Sequence, residues 1–278
     1  MPQTLRCGRI TYTNDLPLYA AFDEGAIRFK GDFVEEVPAR LNQRLLGGDL
    51  DLSPMSAAIY ARHADELVLL DDLCVGSRDW TWSVLLVSPT PPQLLDGCDV
   101  EVMRASATGR ALLQVLLERR YNVRAGFSTT DEALQTARMR QPTLLIGDEA
   151  LDARAAFQPH QVYDLGHLWH EWTGADMVFA VWVARRETYA ERKEEIVTAM
   201  NALRAARTWG ETRLDLVARL AQRRRARPAG FYQQYYRTLN YYLDLSARAG
   251  LAQFISELDA VGLLPGVLRP PEVRRAAS

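Results

Sequence analysis

The chain has 278 residues, 48% of them hydrophobic, and a net charge of -2 at neutral pH; this supplies a core large enough for two lobes. The acidic balance, with a pI of about 6.1, gives no basic field to hold nucleic acid. Three scattered cysteines (Cys7, Cys74, Cys98) offer neither disulfide framework nor zinc knuckle, Met1 to Arg6 lack an apolar leader core and no apolar run reaches spanning length, so a soluble protein of the reducing cytoplasm, without nucleic-acid or membrane partners, is expected.

In chain order, a β-rich run at 8–12 leads into Thr11-Tyr12-Thr13-Asn14-Asp15-Leu16-Pro17, followed by an apolar segment at 18–22. An amide side chain at a strand tip, held by a turn containing proline, is well placed to meet a ligand, although such turns are also ordinary punctuation. Further strands are predicted at 32–37, 50–52, 67–70, 81–87, 100–103, 123–127, 143–146 and 178–184, each short, rich in Val, Ile or Leu and bounded by Gly, Pro, Asp or Ser. Helical patterns fall between them at 39–46, 54–63, 109–121 and 131–139. This alternation predicts an α/β architecture with largely parallel sheet. Beyond residue 186 the pattern turns helical, at 187–208, 211–225, 230–243 and 250–261. Phe231, Tyr232, Tyr235, Tyr236 and Tyr242 recur there at helical spacing, which reads as a packing face in preference to a stacking platform for bases.

Two apolar stretches, 83–92 and 178–185, read as crossings between lobes. They divide the chain into a discontinuous first lobe, 1–86 with 178–278, and an inserted α/β lobe, 87–177. A cleft beneath the crossings and a hinge that closes it are expected.

Two short motifs suggest how that cleft holds a ligand. Ser53-Pro54-Met55-Ser56 follows the strand at 50–52, with Ser53 suited to an N-cap and Pro54 to the first helical position. Ala105-Ser106-Ala107-Thr108-Gly109 repeats the construction in the inserted lobe. A helix that starts just past a strand end aims backbone N–H groups at a cleft, and each start stabilises a carboxylate by roughly 0.3–1 kcal/mol when exposed. One on each lobe suits a small dianion gripped on closure. Gly147-Asp148-Glu149 reads first as a cap or salt bridge, with a general base or metal ligand as the alternatives. His167-Leu168-Trp169-His170-Glu171 lacks a third ligand and sits among Gly and Trp as a loop, so no metal is expected. The basic run Arg223-Arg224-Arg225-Ala226-Arg227 reads as a solvated helix end. No Walker loop, GxGxxG or nucleophile elbow occurs.

Taken as a set, five stretches resemble the chorismate dehydratase family of the futalosine route to menaquinone: Gly8-Arg9-Ile10 through Asn14-Asp15-Leu16-Pro17-Leu18; Gly48-Asp49-Leu50-Asp51-Leu52-Ser53-Pro54-Met55-Ser56 through Ala57-Ala58-Ile59-Tyr60-Ala61; Ser83-Val84-Leu85-Leu86; Leu145-Ile146-Gly147-Asp148-Glu149-Ala150-Leu151; and Tyr163-Asp164-Leu165-Gly166 through Phe179-Ala180-Val181-Trp182-Val183-Ala184. The resemblance implies a two-lobed fold like the type II periplasmic binding proteins, with a hinge of two crossing strands and a helical C-terminal region. It implies loss of water from chorismate to give 3-[(1-carboxyvinyl)oxy]benzoate, with neither cofactor nor metal, by a monomer or homodimer. It places the active-site asparagine at Asn14, substrate contacts at Ser53, Pro54, Met55 and Ser56, a serine near the hinge at Ser83, and a second anion-contacting turn at Ser106, Ala107 and Thr108. Related sequences often carry Thr-Ser-Arg-Thr-like residues at that turn, so Ala105 and Ala107 depart from the pattern, as does Gly76 to Trp82. Two other readings stand beside this one: the related 1,4-dihydroxy-6-naphthoate synthase, whose histidine is missing from Ile146-Gly147-Asp148-Glu149, and a non-catalytic cytoplasmic protein that binds a small carboxylate.

Overall fold

In the computed structural model the described residues are 4–264. Residues 1–3, on which the leader reading partly rests, and 265–278, the end of the first-lobe assignment, lie outside them. The chain opens with β1 (Arg6–Ile10), a short 3-10 turn at Thr13–Asp15, α1 (Leu16–Asp23), β2 (Asp32–Glu36) and α2 (Pro38–Leu46). Pro17 and Pro38 each sit in a first helical turn, where no amide donor is needed. Then come β3 (Ser53–Ser56), α3 (Ala57–Arg62) and the long β4 (Leu67–Ser77). A second group follows: β5 (Val84–Val87), β6 (Asp99–Met103), α4 (Ala107–Val115) extended by a π turn at Leu116–Arg120, β7 (Gly126–Thr130), α5 (Ala133–Arg138), β8 (Thr143–Ile146), α6 (Gly147–Ala156), β9 (Val162–Asp164) and α7 (Leu165–Thr173). The chain returns through β10 (Met177–Arg185) to α8 (Arg186–Glu211), α9 (Leu214–Arg224), α10 (Phe231–Thr238), β11 (Leu239–Leu243) and α11 (Leu245–Ala260).

Three sheets result: β1 beside β2, the order β11-β4-β10-β3, and the order β7-β6-β8-β5-β9. The expectation of largely parallel sheet is corrected. β1 and β2 are parallel, as are β6 with β7 and β8, but every pair in the second sheet is antiparallel, and β5 runs antiparallel to both its neighbours. The crossing strands account for most of this: β5 and β10 carry the chain between the two groups and run against their neighbours, while β11 adds an antiparallel edge on β4. Pairing also moves the divisions. Val84 to Leu86, read as first lobe, belong to the third sheet, and Met177 to the second. The chain therefore passes between the groups at 78–83 and 174–176.

The first of these passages is strained. Trp82 has φ +62, a left-handed backbone unusual for a bulky residue. Asp164 holds it: the carboxylate accepts from Trp82 N at 2.7 Å and Thr81 N at 3.2 Å, while also capping α7 through Gly166 N and His167 N. That cap makes 165–173 a helix and corrects the loop reading.

One apolar cluster runs through both groups, joining Val100, Val102 and Leu144 of the third sheet to Val181 and Val183 of β10 through Leu112 and Leu116 of α4. Tyr232, Tyr235 and Tyr236 bury against α1 and α9, so the aromatic stripe is a packing face. The basic run is the exposed end of α9, as read, but most of its arginines also make ion pairs. Arg225 and Arg227 both pair with Asp152 of α6, and Arg224 pairs with Asp23.

Candidate active site

Between the groups lies a cavity of about 660 Å³, lined by Tyr12, Asn14, Pro54, Met55, Ser56, Ser83, Ser106, Ala107, Thr108 and Gly147 among others. Both crossing regions contribute, through Thr81 and Ser83 on one side and Phe179 and Ala180 on the other. Among the described residues no Arg, Lys, His, Asp or Glu lines it. An anion held here meets only neutral donors and helix ends.

Asn14 sits in the 3-10 turn, and its neighbours pin the turn from three directions. Tyr241 Oη donates to Asn14 O at 2.6 Å, Tyr236 Oη to Thr13 O at 3.0 Å, and Thr13 donates through Oγ1 and N to the Asp148 carboxylate at 2.5 and 3.2 Å. The backbone is therefore fixed while the side-chain Oδ1 is buried without a partner. Such an uncompensated group costs free energy in the fold and is ready to bind a ligand. Tyr12 Oη is also buried and unpartnered. Burial, reinforced by the Glu149 and Asp148 carboxylates, pushes that phenol up to about 12, so it is a neutral donor at neutral pH. Its ring packs on Gly147, which has φ +61; a Cβ there would lie 2.8 Å from the ring. Only glycine lets α6 begin so close to Tyr12.

Ser53-Pro54-Met55-Ser56 is not a helix start. It is β3, paired antiparallel with Ser53 opposite Val183 and Ser56 opposite Ala180. The helix begins at Ala57, and Ser53 makes no cap. Ser53 also drops out of the lining: fully buried, its hydroxyl donates to Pro54 O and lies against Gly8. Pro54, Met55 and Ser56 remain in the wall. Asn42 of α2 fixes Ser56 by two bonds, accepting from Ser56 N at 3.1 Å and donating to Ser56 Oγ at 3.0 Å. With Oγ accepting from Asn42, the hydroxyl proton is left to point into the cavity.

The turn at 105–109 does open a helix. Ser106 is the N-cap of α4 but makes no side-chain cap bond. The amides of Ala107, Thr108 and Gly109 begin the helix within the cavity wall, where the helix dipole favours negative charge. Ser106 Oγ is buried, unpartnered and close over Gly109, where an added Cβ would lie 2.4 Å away. Thr108 spends its hydroxyl across the cleft, donating to Phe179 O at 2.9 Å and accepting from Ala58 N at 3.2 Å. The two expected helix ends are thus unequal: α4 presents amides, whereas the start of α3 is partly satisfied by Thr108. Ser83 Oγ donates to Thr81 O at 3.3 Å, and Ser83 O accepts from Gly147 N at 2.9 Å.

Sequence reasoning missed Tyr12, Asn42 and Gly147 as site builders. Tyr12 lay within the strand-tip motif. Asn42 carried one signal, a lone amide between Leu41 and Leu45 on the apolar face of α2. Among the described residues no group of three or more His, Cys, Asp or Glu is arranged to hold a metal, and no helix is long and apolar enough to cross a membrane.

Comparison with known proteins gives this geometry a setting. Residues 5–260 match the family described as menaquinone biosynthesis. The chain is 34% identical over 269 residues to the chorismate dehydratase of Thermus thermophilus, covering 89% of this chain and 92% of that one. A solved structure from Archaeoglobus fulgidus superposes with a TM-score of 0.75 at 19% identity, over 93% of this chain and 98% of the other. A Candida albicans protein with the generic periplasmic binding protein fold gives 0.69 at 13% identity, over 96% and 92%. These structural likenesses define the fold, an α/β arrangement of the periplasmic-binding-protein type. Taken with the sequence match along nearly its whole length, they place the chain in the menaquinone-biosynthesis family to which the Thermus chorismate dehydratase belongs.

Proposed function

We propose that this protein is a cytoplasmic chorismate dehydratase of the futalosine route, eliminating water from chorismate to give 3-[(1-carboxyvinyl)oxy]benzoate without a cofactor. The observation that carries the reading is the neutral cavity in which Asn14, Tyr12 and Ser56 face the start of α4. In this proposal the two groups act as lobes that grip the substrate. One chorismate carboxylate lies on the amides of Ala107, Thr108 and Gly109, where the helix end offsets its charge. Asn14 hydrogen-bonds the departing C4 hydroxyl, and Ser56 and Tyr12 donate to the remaining oxygens.

The C3 proton leaves with the C4 hydroxyl as water, and the ring becomes aromatic with no change of oxidation state overall. Among the described residues the lining holds no carboxylate or imidazole, which favours the side-chain carboxylate of chorismate itself as the proton acceptor, held beside C3 by the closed walls. Positioning and charge stabilisation then carry the rate. Ser83, near the first passage, and Met55 and Pro54 shape the ring's slot.

The test is incubation of purified protein with chorismate, following the benzoate chromophore and separating the product. We expect conversion by the wild type and a loss of about 10²–10³-fold in kcat for Asn14→Ala, the scale of one lost transition-state donor. Wild-type rates in that variant, with its fold verified, remove Asn14 from the chemistry. Tight binding of chorismate without conversion identifies a carboxylate-binding protein instead.

A further inference from the structure

Behind the turn at 105–109 lies a second cavity, of about 610 Å³. It shares Ser106 and Ala107 with the first, so a single helical turn is the wall between them. Its chemistry is the opposite. Arg62, Arg104 and Arg110 line it, with Gln114 and Thr129, and no carboxylate among the described residues does. The arginines are unequally committed. Arg104 is paired with Asp131 at 2.8 Å, both at the surface. Arg62 donates through Nε to Leu263 O at 3.0 Å. Arg110 lies 5.4 Å from the Phe127 ring centre and has no carboxylate partner among the described residues. An unpaired guanidinium stacked on an aromatic ring presents its edge donors for an oxyanion. The second pointer is Ser106 Oγ: the residue is only 3% exposed, and this atom has no hydrogen-bond partner in a wall common to both cavities.

We propose that this cavity is a binding site for a small multiply charged oxyanion, a phosphoryl or polycarboxylate group, held by Arg110 and Arg62 with Ser106 at its inner end. Three guanidiniums, one of them paired with Asp131, around a space that no acidic residue among the described ones lines match a ligand of two or more negative charges better than a single carboxylate. The site is distinct from the reaction cavity and communicates with it. A hydroxyl has one proton to donate, so an anion that takes the Ser106 proton withdraws it from the first cavity and draws the first turn of α4 toward itself. The ligand therefore acts as a brake on the reaction; this second part rests on the proposed dehydratase activity, whereas the binding does not.

The experiment is calorimetric titration of the full chain with inorganic pyrophosphate, and separately with citrate, at constant ionic strength, to distinguish the phosphoryl from the carboxylate source. We expect saturable one-site binding of one of the two. Arg110→Gln should weaken it by about tenfold, the scale of one lost charge-assisted contact, with an unchanged melting temperature, since Arg110 is exposed and unpaired. Arg110→Lys should recover part of the loss, and Asn14→Ala should bind as the wild type does. Turnover of chorismate should fall as the ligand saturates the wild type, with the half-inhibitory concentration raised about tenfold in Arg110→Gln. Absence of saturable binding by either probe overturns the site, as does binding indifferent to Arg110. Loss of binding in Asn14→Ala, or simple competition with chorismate, makes the two cavities one site and overturns their separation. If the protein binds the probe as expected but converts no chorismate, the anion site stands and the dehydratase reading falls.

Discussion

Asp15, next to Asn14, is 1% exposed, and neither carboxylate oxygen has a hydrogen-bond partner. Burial pushes its pKa from 3.8 up to about 7, with the Arg9 guanidinium opposing the shift. Below pH 4 the carboxyl is protonated whether the chain is folded or not. Between pH 4 and 7 it ionises in the unfolded chain and stays protonated in the folded one, so stability falls as pH rises through that window. The shift corresponds to about 4 kcal/mol at full extent. Asp15→Asn removes the titrating group while keeping its shape. We expect the difference in unfolding free energy between variant and wild type, measured in urea at pH 4, 6 and 8, to grow in the variant's favour and then level off. An equal slope in both proteins would exclude Asp15 as its source. The backbone of Asn14 is held by the hydroxyls of Tyr236 and Tyr241, and no side-chain hydrogen bond from Asp15 is seen to hold it.

At the scale of elements, Thr108 is the link between α4, α3 and β10. Thr108→Val keeps the shape and leaves Ala58 N and Phe179 O buried without their partner, at about 1–3 kcal/mol for each. We expect a lower melting temperature and a raised KM for chorismate, both largely restored by Thr108→Ser; a variant with unchanged KM would show that the link does not organise the cavity. This start of α4 was legible in sequence because a β-rich run, two hydroxyls and a glycine stand in order, and the strands at 100–103 and 143–146 were legible for the same local reason. Ser53 to Ser56 was misread because its cap-like residues are also suited to a short buried strand, and the pairing partner that decides between them, β10, is more than a hundred residues away. β11 was misread as helix because Leu239 to Leu243 continue the aromatic spacing of α10; antiparallel pairing with β4 overrides that local pattern. The neutrality of the cavity was out of reach, since no motif states which charged residues stay outside it.

The whole molecule is tied across the cleft at separate places: Thr13 to Asp148, Thr108 to Phe179 and Ala58, Arg119 to Glu257, and Arg225 and Arg227 to Asp152. Asp152 touches nothing in the cavity, so it tests closure apart from chemistry. Its partner Arg227 has a 5% exposed side chain, and Asp152→Asn leaves that guanidinium without its carboxylate. We expect a loss of roughly 1–3 kcal/mol in unfolding free energy, a raised KM and a kcat near that of the wild type. A fall in kcat with unchanged KM would instead place Asp152 in the chemical step.

Trp82 has a further consequence at this scale. Its indole is bracketed by Arg154, 4.5 Å from the ring centre, and by Phe231 at 5.8 Å, one from each side of the cleft. If the two groups turn about this backbone, as the proposed grip on the substrate requires, a side chain wedged between them cannot keep both neighbours when they part. With the other tryptophans replaced by Phe, the emission of Trp82 would then register the angle of the joint, an optical gauge of opening carried by the chain itself.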